Sequence, residues 1–343
     1  MKKILAIGCL LLLANSLSFA DDSLPQREYW PTKEWLSSLP EKQGMDSGRL
    51  GEIDKYVKEN LPLTSSILIV RHGYIVFERY YDNSPSNKRI LFSATKGVLS
   101  ALVGIAISNG FLISADQKLL EIFPEYIDDK LNPKAYKITL RDLLTMSDGI
   151  AQHQMDSVFS QTRLKASFRA EPGTESFYNS MSPQIISMII TKATGTKAHE
   201  FARRYLFDRI GIIDAYWEDF GKHSRGALGL SLTSRDMARF GYLYLNMGTW
   251  DQDIIVPSDW VRMSTTRQIV NHQFNEYFQD YGFYWWIHPV DKYLAYYVEG
   301  YGGQFIVVIP ELDMVTVITS EERTEDDEKY FLILPRIIVP SIR

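Results

Sequence analysis

Apolar residues recur at helical spacing in several segments of the chain. The clearest segment runs from Asp46 to Leu61, with Asp46 or Ser47 as its N-terminal cap. The same pattern predicts helices over 139–144, from Pro183 to Ala193, from Thr233 or Ser234 to Asn246, and from about Glu325 to Ile338 with an interruption at Pro335. Most of these helices lie in the middle of the chain, so a largely helical region is expected there.

Short apolar runs with turn residues between them predict two β-hairpins, one near each end of the chain. The first spans Ser66 to Tyr81 and turns at His72-Gly73. The second joins Gln304–Ile309 to Met314–Ser320 around residues 310–313. We therefore predict an α/β (α+β) fold, in which an antiparallel β-sheet is flanked by helices and carries an inserted, mostly helical lobe.

The first twenty residues have the composition of a secretory signal peptide. Lys2 and Lys3 precede an apolar run over residues 4–14, and Ser18-Phe19-Ala20 is a small-x-small cleavage site. We expect cleavage after Ala20 and a periplasmic or secreted mature protein. A lipoprotein signal that uses Cys9 is the alternative, but few apolar residues precede that cysteine.

The rest of the chain divides into an arm and one domain. Residues 21–44 form an irregular N-terminal arm rich in proline and tryptophan. Residues 45–338 form a single domain, with an α/β lobe at 45–110 and 285–338 and a helical lobe at 111–284. No segment after the signal approaches 18 uninterrupted apolar residues, so no membrane span is predicted.

Composition and charge argue against several classes of function. Cys9 is the only cysteine and leaves with the signal, which excludes a disulfide and a cysteine nucleophile from the mature chain. The formal charge of −5 falls to −7 without Lys2 and Lys3, which argues against binding to nucleic acid. The six histidines have no metal-ligand spacing, and no glycine-rich phosphate-binding motif is present. We predict no metal and no cofactor, and the oligomeric state stays open.

The first candidate for chemistry is Ser93-Ala94-Thr95-Lys96, at the start of an apolar helix that Asn109-Gly110 ends. Residues i and i+3 share a helix face, so Lys96 Nζ can reach Ser93 Oγ. A lysine can take a serine proton where burial or a nearby cation favours the neutral amine. A capping serine followed by a surface lysine is the alternative.

Two further segments carry candidate groups. Tyr178 follows Pro172-Gly173-Thr174, and a phenol buried near a lysine can act as a general base, although a buried core tyrosine is the alternative. Residues 300–304, Gly-Tyr-Gly-Gly-Gln, come directly before an apolar strand. Glycines at a strand edge let a substrate approach the backbone, although a glycine bulge or a tight turn is the alternative.

The order and spacing of these segments resemble the serine β-lactamase and penicillin-binding protein superfamily over residues 45–335. The class C branch, which includes carboxylesterases, D-aminopeptidases and 6-aminohexanoate-dimer hydrolases, is most similar. The resemblance implies that Ser93 is acylated and that Lys96 takes or relays its proton. It also implies that the Tyr178 hydroxyl protonates the leaving group and activates the deacylating water.

The resemblance further implies an oxyanion hole and a substrate-binding edge. The backbone N–H of Ser93 would pair with that of Gly303 or Gln304, and the substrate would contact Ser180, Tyr301 and Gly302. Two departures from the family pattern concern the substrate. Ser180 stands where the family usually has asparagine, and Gly300-Tyr301-Gly302, preceded by Glu299, replaces Lys-Thr-Gly or His-x-Gly.

These departures favour the esterase-like and 6-aminohexanoate-dimer hydrolase members over efficient β-lactamases. We therefore expect residues 45–338 to be the catalytic domain of an exported serine hydrolase. Its partner would be a small-molecule or short-peptide ester or amide. A class C-like β-lactamase, a peptidoglycan DD-peptidase and a non-catalytic cell-wall-binding protein are the alternatives.

Overall fold

The fold is described from a computed structural model that covers residues 25–81, 84–151, 164–321 and 328–343. The predicted signal peptide lies outside these described residues. The strands are β1 (Thr64–Arg71), β2 (Tyr74–Tyr80), β3 (Arg89–Ile90), β4 (Tyr216–Trp217), β5 (Asp219–Phe220), β6 (His223–Ser224), β7 (Leu230–Leu232), β8 (Thr249–Trp250), β9 (Asp253–Ile254), β10 (Ile269–Val270), β11 (Asp280–Tyr281), β12 (Trp286–Ile287), β13 (Tyr296–Gly300), β14 (Gln304–Ile309) and β15 (Met314–Ser320).

Four α-helices of the described residues have 12 or 14 residues, and the others are shorter. The α-helices are α1 (Ser47–Asn60), α2 (Thr95–Ser108), α3 (Leu119–Ile122), α4 (Leu140–Leu144), α5 (Met181–Thr194), α6 (Ala198–Ala202), α7 (Asp208–Ile210), α8 (Ser234–Leu245), α9 (Ser258–Ser264) and α10 (Glu328–Phe331). Asp46 caps α1 by accepting from the Arg49 N–H, and Thr233 caps α8 in the same way. Both caps confirm the predicted helix starts.

One eight-stranded antiparallel sheet has the order β10-β11-β12-β13-β14-β15-β1-β2. The two predicted hairpins are both present and pair with each other through β1 and β15, where Ile67 lies opposite Ile318. The predicted antiparallel sheet with flanking helices is therefore confirmed. The sheet also includes β10 and β11, which precede residue 285, while the lobe boundaries themselves stay a prediction.

Helices cover both faces of this sheet, which explains why its central strands β1, β14 and β15 are buried along their whole length. On one face α8 lies so close that a Cβ on Gly241 would come within 2.7 Å of Ile306 and Val315 side-chain atoms. On the other face the Phe331 ring of α10 lies 6.3 Å from the Phe305 ring. Strands buried on both faces lose the polar alternation of a half-exposed sheet.

The C-terminal helix is more interrupted than its sequence pattern predicts. The described part consists of α10 and a separate π-helical turn, Leu334–Ile338. Pro335 lies inside this turn and has no backbone N–H to donate, so a continuous α-helix cannot pass through it. Within the described ranges, no helix is long and apolar enough to cross a membrane.

Candidate active site

Ser93 and Lys96 meet at the start of α2. Ser93 lies in a 3-10 turn, Phe92–Ala94, that leads directly into the helix. Lys96 Nζ donates to Ser93 Oγ at 2.6 Å and to the Ala227 carbonyl oxygen at 3.0 Å. The Lys96 side chain is only 1% exposed, so these two contacts fix its amine beside the serine hydroxyl.

The surroundings of Lys96 favour its neutral form. Burial lowers the pKa of Lys96 to about 7, and the negative charge of Glu299 opposes that shift. Near and above pH 7 a large fraction of the amine therefore carries a lone pair. A neutral amine at hydrogen-bond distance can accept the Ser93 proton.

Tyr178 is the third predicted group, and the fold brings it to the same place. Lys96 Nζ lies 5.0 Å from the centre of the Tyr178 ring. Burial raises the pKa of the Tyr178 phenol well above its usual value, Glu299 raises it further, and hydrogen bonding with Ser93 lowers it. The phenol is therefore protonated at neutral pH and is equipped to donate a proton.

A buried polar network holds the loop that carries Tyr178. Asn179 Nδ2 donates to the Phe177 carbonyl, and Asn179 Oδ1 accepts from the backbone N–H of Ser182. The Ser182 hydroxyl donates to Asp148 Oδ2 at 2.6 Å. Because these groups are buried and paired, they restrict the direction in which Tyr178 points.

Aromatic side chains that were not predicted as part of the site pack against the Tyr178 ring. Trp286 stacks on this ring at 5.7 Å and 21°, and Phe274 meets it edge-on at 5.5 Å. Gln273 Oε1 accepts from the Tyr178 backbone N–H. None of the candidate segments in the sequence contains Gln273, Phe274 or Trp286.

The glycine-rich edge packs directly against the turn that carries Ser93. A Cβ on Gly300 would lie 1.9 Å from the Leu91 carbonyl oxygen and 3.2 Å from the Ala94 nitrogen. Gly302 and Gly303 have φ angles of +82° and +91°, which other residues rarely adopt. These glycines permit the close approach of the β13–β14 turn to the candidate nucleophile.

Aromatic rings also face each other across this junction. Phe92, directly before Ser93, has a φ of +46°, and its ring meets the Tyr301 ring edge-on at 5.8 Å. Tyr301 itself is 45% exposed. A phenylalanine in left-handed backbone conformation is uncommon, and such residues concentrate at functional sites.

Two predicted substrate-binding residues differ in whether their side chains already have hydrogen-bond partners in the protein. The Gln304 side chain is buried, and its Nε2 donates to the Ser320 carbonyl at 2.9 Å. This side-chain amide is therefore already paired with a neighbouring strand of the sheet. Ser180 is half-buried at the start of α5 and makes no capping hydrogen bond. Their substrate contacts stay predictions.

Metal-binding side chains do not gather at this site. Among residues 25–81, 84–151, 164–321 and 328–343, no group of three or more histidine, cysteine, aspartate or glutamate residues could hold a metal ion.

Comparison with known proteins matches the chain to one family model and to a curated hydrolase. The model of the Beta-lactamase family matches residues 53–333. The chain is 24% identical over 238 residues to the 6-aminohexanoate-dimer hydrolase of Paenarthrobacter ureafaciens, covering 62% of this chain and 59% of that protein.

Solved structures are similar over most of the chain. A Bacillus anthracis protein whose proposed identity is a 6-aminohexanoate-dimer hydrolase superposes with a TM-score of 0.70 at 22% identity, covering 90% of this chain and 87% of that one. EstCE1, a hydrolase with promiscuous acyltransferase activity, gives a TM-score of 0.68 at 12% identity, with coverages of 85% and 98%. At these identities the structures establish the fold.

Proposed function

Since this chain belongs to the Beta-lactamase family, we propose that it is an exported serine hydrolase that cleaves an ester or amide through an acyl-enzyme on Ser93. The observation that carries this proposal is the 2.6 Å contact between Lys96 Nζ and Ser93 Oγ, made by a lysine that is 1% exposed. A surface lysine that merely follows a capping serine would stay solvated and charged.

Acylation begins when Ser93 Oγ attacks the substrate carbonyl carbon and its proton passes to Lys96 Nζ. The tetrahedral intermediate then collapses as the bond to the leaving group breaks. The Tyr178 hydroxyl gives its proton to the leaving-group oxygen or nitrogen, and Lys96 returns a proton to the Tyr178 oxygen. The raised pKa of Tyr178 and the lowered pKa of Lys96 suit these directions of transfer.

Deacylation runs through the same groups in the reverse order. A water molecule gives a proton to the Tyr178 oxygen, whose own proton passes to Lys96, and the water oxygen bonds to the acyl carbon. The bond from that carbon to Ser93 Oγ then breaks, and Oγ takes its proton from Lys96. The enzyme returns to its starting protonation state.

The negative charge on the carbonyl oxygen needs donors in both steps. We assign this role to the backbone N–H of Ser93 together with that of Gly303 or Gln304. The packing of Gly300 against Leu91 and Ala94 supports the assignment, because it keeps the two backbone segments adjacent. Preorganised backbone donors of this kind supply a large part of acyl-transfer catalysis.

The charge at the glycine-rich edge favours an uncharged or cationic substrate group at that edge over a carboxylate. The glycine-rich edge, residues 300–304, contains no lysine or histidine, and Glu299 immediately precedes it. Glu299 acts electrostatically on both Lys96 and Tyr178, so its charge reaches the reacting groups. A substrate carboxylate placed there would be repelled.

Substrate profiling tests this function against its rivals. We expect turnover of short p-nitrophenyl esters or small amides by the wild type and loss of that turnover in Ser93→Ala. Nitrocefin turnover with stable labelling by a fluorescent penicillin would instead indicate a β-lactamase or a DD-peptidase. Absence of every one of these activities would favour a cell-wall-binding protein.

A further inference from the structure

Tyr281 places a second phenol beside Tyr178. Tyr281 lies in β11, directly opposite Trp286 of β12, and the two rings are 4.3 Å apart. The same Trp286 ring stacks on Tyr178, and the Tyr281 and Tyr178 rings meet at 6.3 Å and 70°. One indole therefore holds both phenols in a fixed relation.

The Tyr281 hydroxyl differs from those of neighbouring buried tyrosines. Tyr284 donates to the Leu143 carbonyl at 3.0 Å, and Tyr296 donates to the Tyr244 carbonyl at 3.1 Å. Tyr281 is 1% exposed as a residue, and its hydroxyl makes no hydrogen bond to any residue that the structure describes, yet this oxygen is not one of the fully enclosed polar atoms that lack a partner. A hydroxyl that is neither paired with the protein nor fully enclosed is open to a water molecule.

The electrostatic surroundings of this hydroxyl connect it to the site. Burial raises the pKa of Tyr281 well above its usual value, and Tyr178 has the next largest effect, ahead of Tyr284 and Glu299. The Tyr281 phenol therefore has Tyr178 as its principal electrostatic neighbour. Two neighbouring phenols offer the several polar partners that an enclosed water molecule requires.

We propose that Tyr281 is a second catalytic phenol, whose hydroxyl binds the deacylating water beside Tyr178. The proposal rests on the acyl-enzyme function proposed for Ser93. In deacylation the water proton goes to the Tyr178 oxygen, the water oxygen bonds to the acyl carbon, and Tyr281 keeps its own proton throughout. Its contribution is to hold the water oxygen in line with the acyl carbon.

The substrate of the test is a p-nitrophenyl ester, whose nitrophenolate leaving group departs without being protonated. Acylation by this ester therefore does not need a proton donor, so an effect on deacylation can be measured separately. The variant is Tyr281→Phe, which keeps the ring packing against Trp286 and removes only the hydroxyl. The matched control is Tyr244→Phe, which removes the fully buried hydroxyl of a tyrosine in α8 that packs against Trp285, away from Tyr178. Two quantities are measured for each protein: kcat, and the fraction of enzyme acylated at steady state by rapid quench and intact mass.

We expect Tyr281→Phe to lower kcat about tenfold, the usual effect of losing one well-placed hydrogen bond. Its acylated fraction should equal or exceed that of the wild type, since only the second step is slowed. Tyr244→Phe should leave both quantities within about twofold of the wild type.

A kcat within twofold of the wild type, or a lower acylated fraction, would overturn the proposal for Tyr281. Failure of the proposed function looks different. In that case the wild type itself forms no acyl adduct that Ser93→Ala abolishes, and both proposals fall together.

Discussion

Lys96 Nζ lies 2.6 Å from Ser93 Oγ, at the junction of a 3-10 turn and α2. The lysine owes this position to a helix whose residues from Thr95 to Ala106 are all buried. An amine on such a helix cannot reach bulk solvent, so its preferred charge state changes. The burial of α2 therefore accounts both for this contact and for the lowered pKa of Lys96.

The first prediction concerns the pH dependence of activity. Lys96 accepts the serine proton only when it is neutral, and its pKa is lowered to about 7. We therefore expect kcat/KM for a p-nitrophenyl ester to rise with pH between 6 and 8, with a midpoint near 7. A profile that is flat or falls over this range would contradict Lys96 as the base.

The second prediction concerns stability in the same pH range. The unfolded chain binds a proton at Lys96 up to about pH 10.5, whereas the folded chain loses it near pH 7. Stability must therefore rise with pH between these values. Relative to Lys96→Met, the free energy of unfolding of the wild type should increase by roughly 2 kcal/mol from pH 7 to pH 9.

Urea unfolding of both proteins at the two pH values measures this difference. The comparison with Lys96→Met cancels the titration of all other groups. Equal pH dependence in the two proteins would show that Lys96 keeps an ordinary pKa in the folded state.

The third prediction concerns the Tyr178 hydroxyl. Tyr178→Phe preserves the stacking on Trp286 but removes the group that exchanges protons with the leaving group and the water. We expect turnover of an amide substrate to fall by ~100-fold or more, the usual scale of general acid–base catalysis. Circular dichroism should be unchanged. Near-normal turnover would remove Tyr178 from the mechanism.

The fourth prediction concerns the contact of Gly300 with the nucleophile turn. In Gly300→Ala the new Cβ would lie 1.9 Å from the Leu91 carbonyl oxygen, so the turn or β13 must move. We expect activity to fall by at least about tenfold, because displacements of an ångström disturb acyl-transfer geometry. The control is Gly51→Ala in α1, which meets no atom within 4 Å and should be neutral or stabilising. Similar activity in the two variants would contradict the assigned packing.

The sequence predicted best what depends on local spacing. The i, i+3 relation of Ser93 and Lys96 needs only a helical turn, and the structure has the expected contact. The hairpin of β14 and β15 is present with the predicted bounds, because both strands are apolar runs around a proline-containing turn. In both cases the pattern and the contact lie within a few residues of each other.

Contacts between distant segments could not be predicted in the same way. The Ala227 carbonyl that accepts from Lys96 is a backbone atom, and any residue type could supply it. Phe274 and Tyr281 reach Tyr178 only because β10, β11 and β12 extend the sheet beside it. Their aromatic side chains could equally belong to a core, and only the three-dimensional arrangement distinguishes the two.

The central claim is that Ser93 is the acylated nucleophile, and a fluorophosphonate probe tests it most directly. The protein is incubated with the probe, digested, and analysed by peptide mass spectrometry. We predict one stoichiometric adduct on Ser93, with labelling that is lost in Ser93→Ala and strongly reduced in Lys96→Met. An unlabelled Ser93 peptide in the wild type, or unchanged labelling in Ser93→Ala, would contradict the claim.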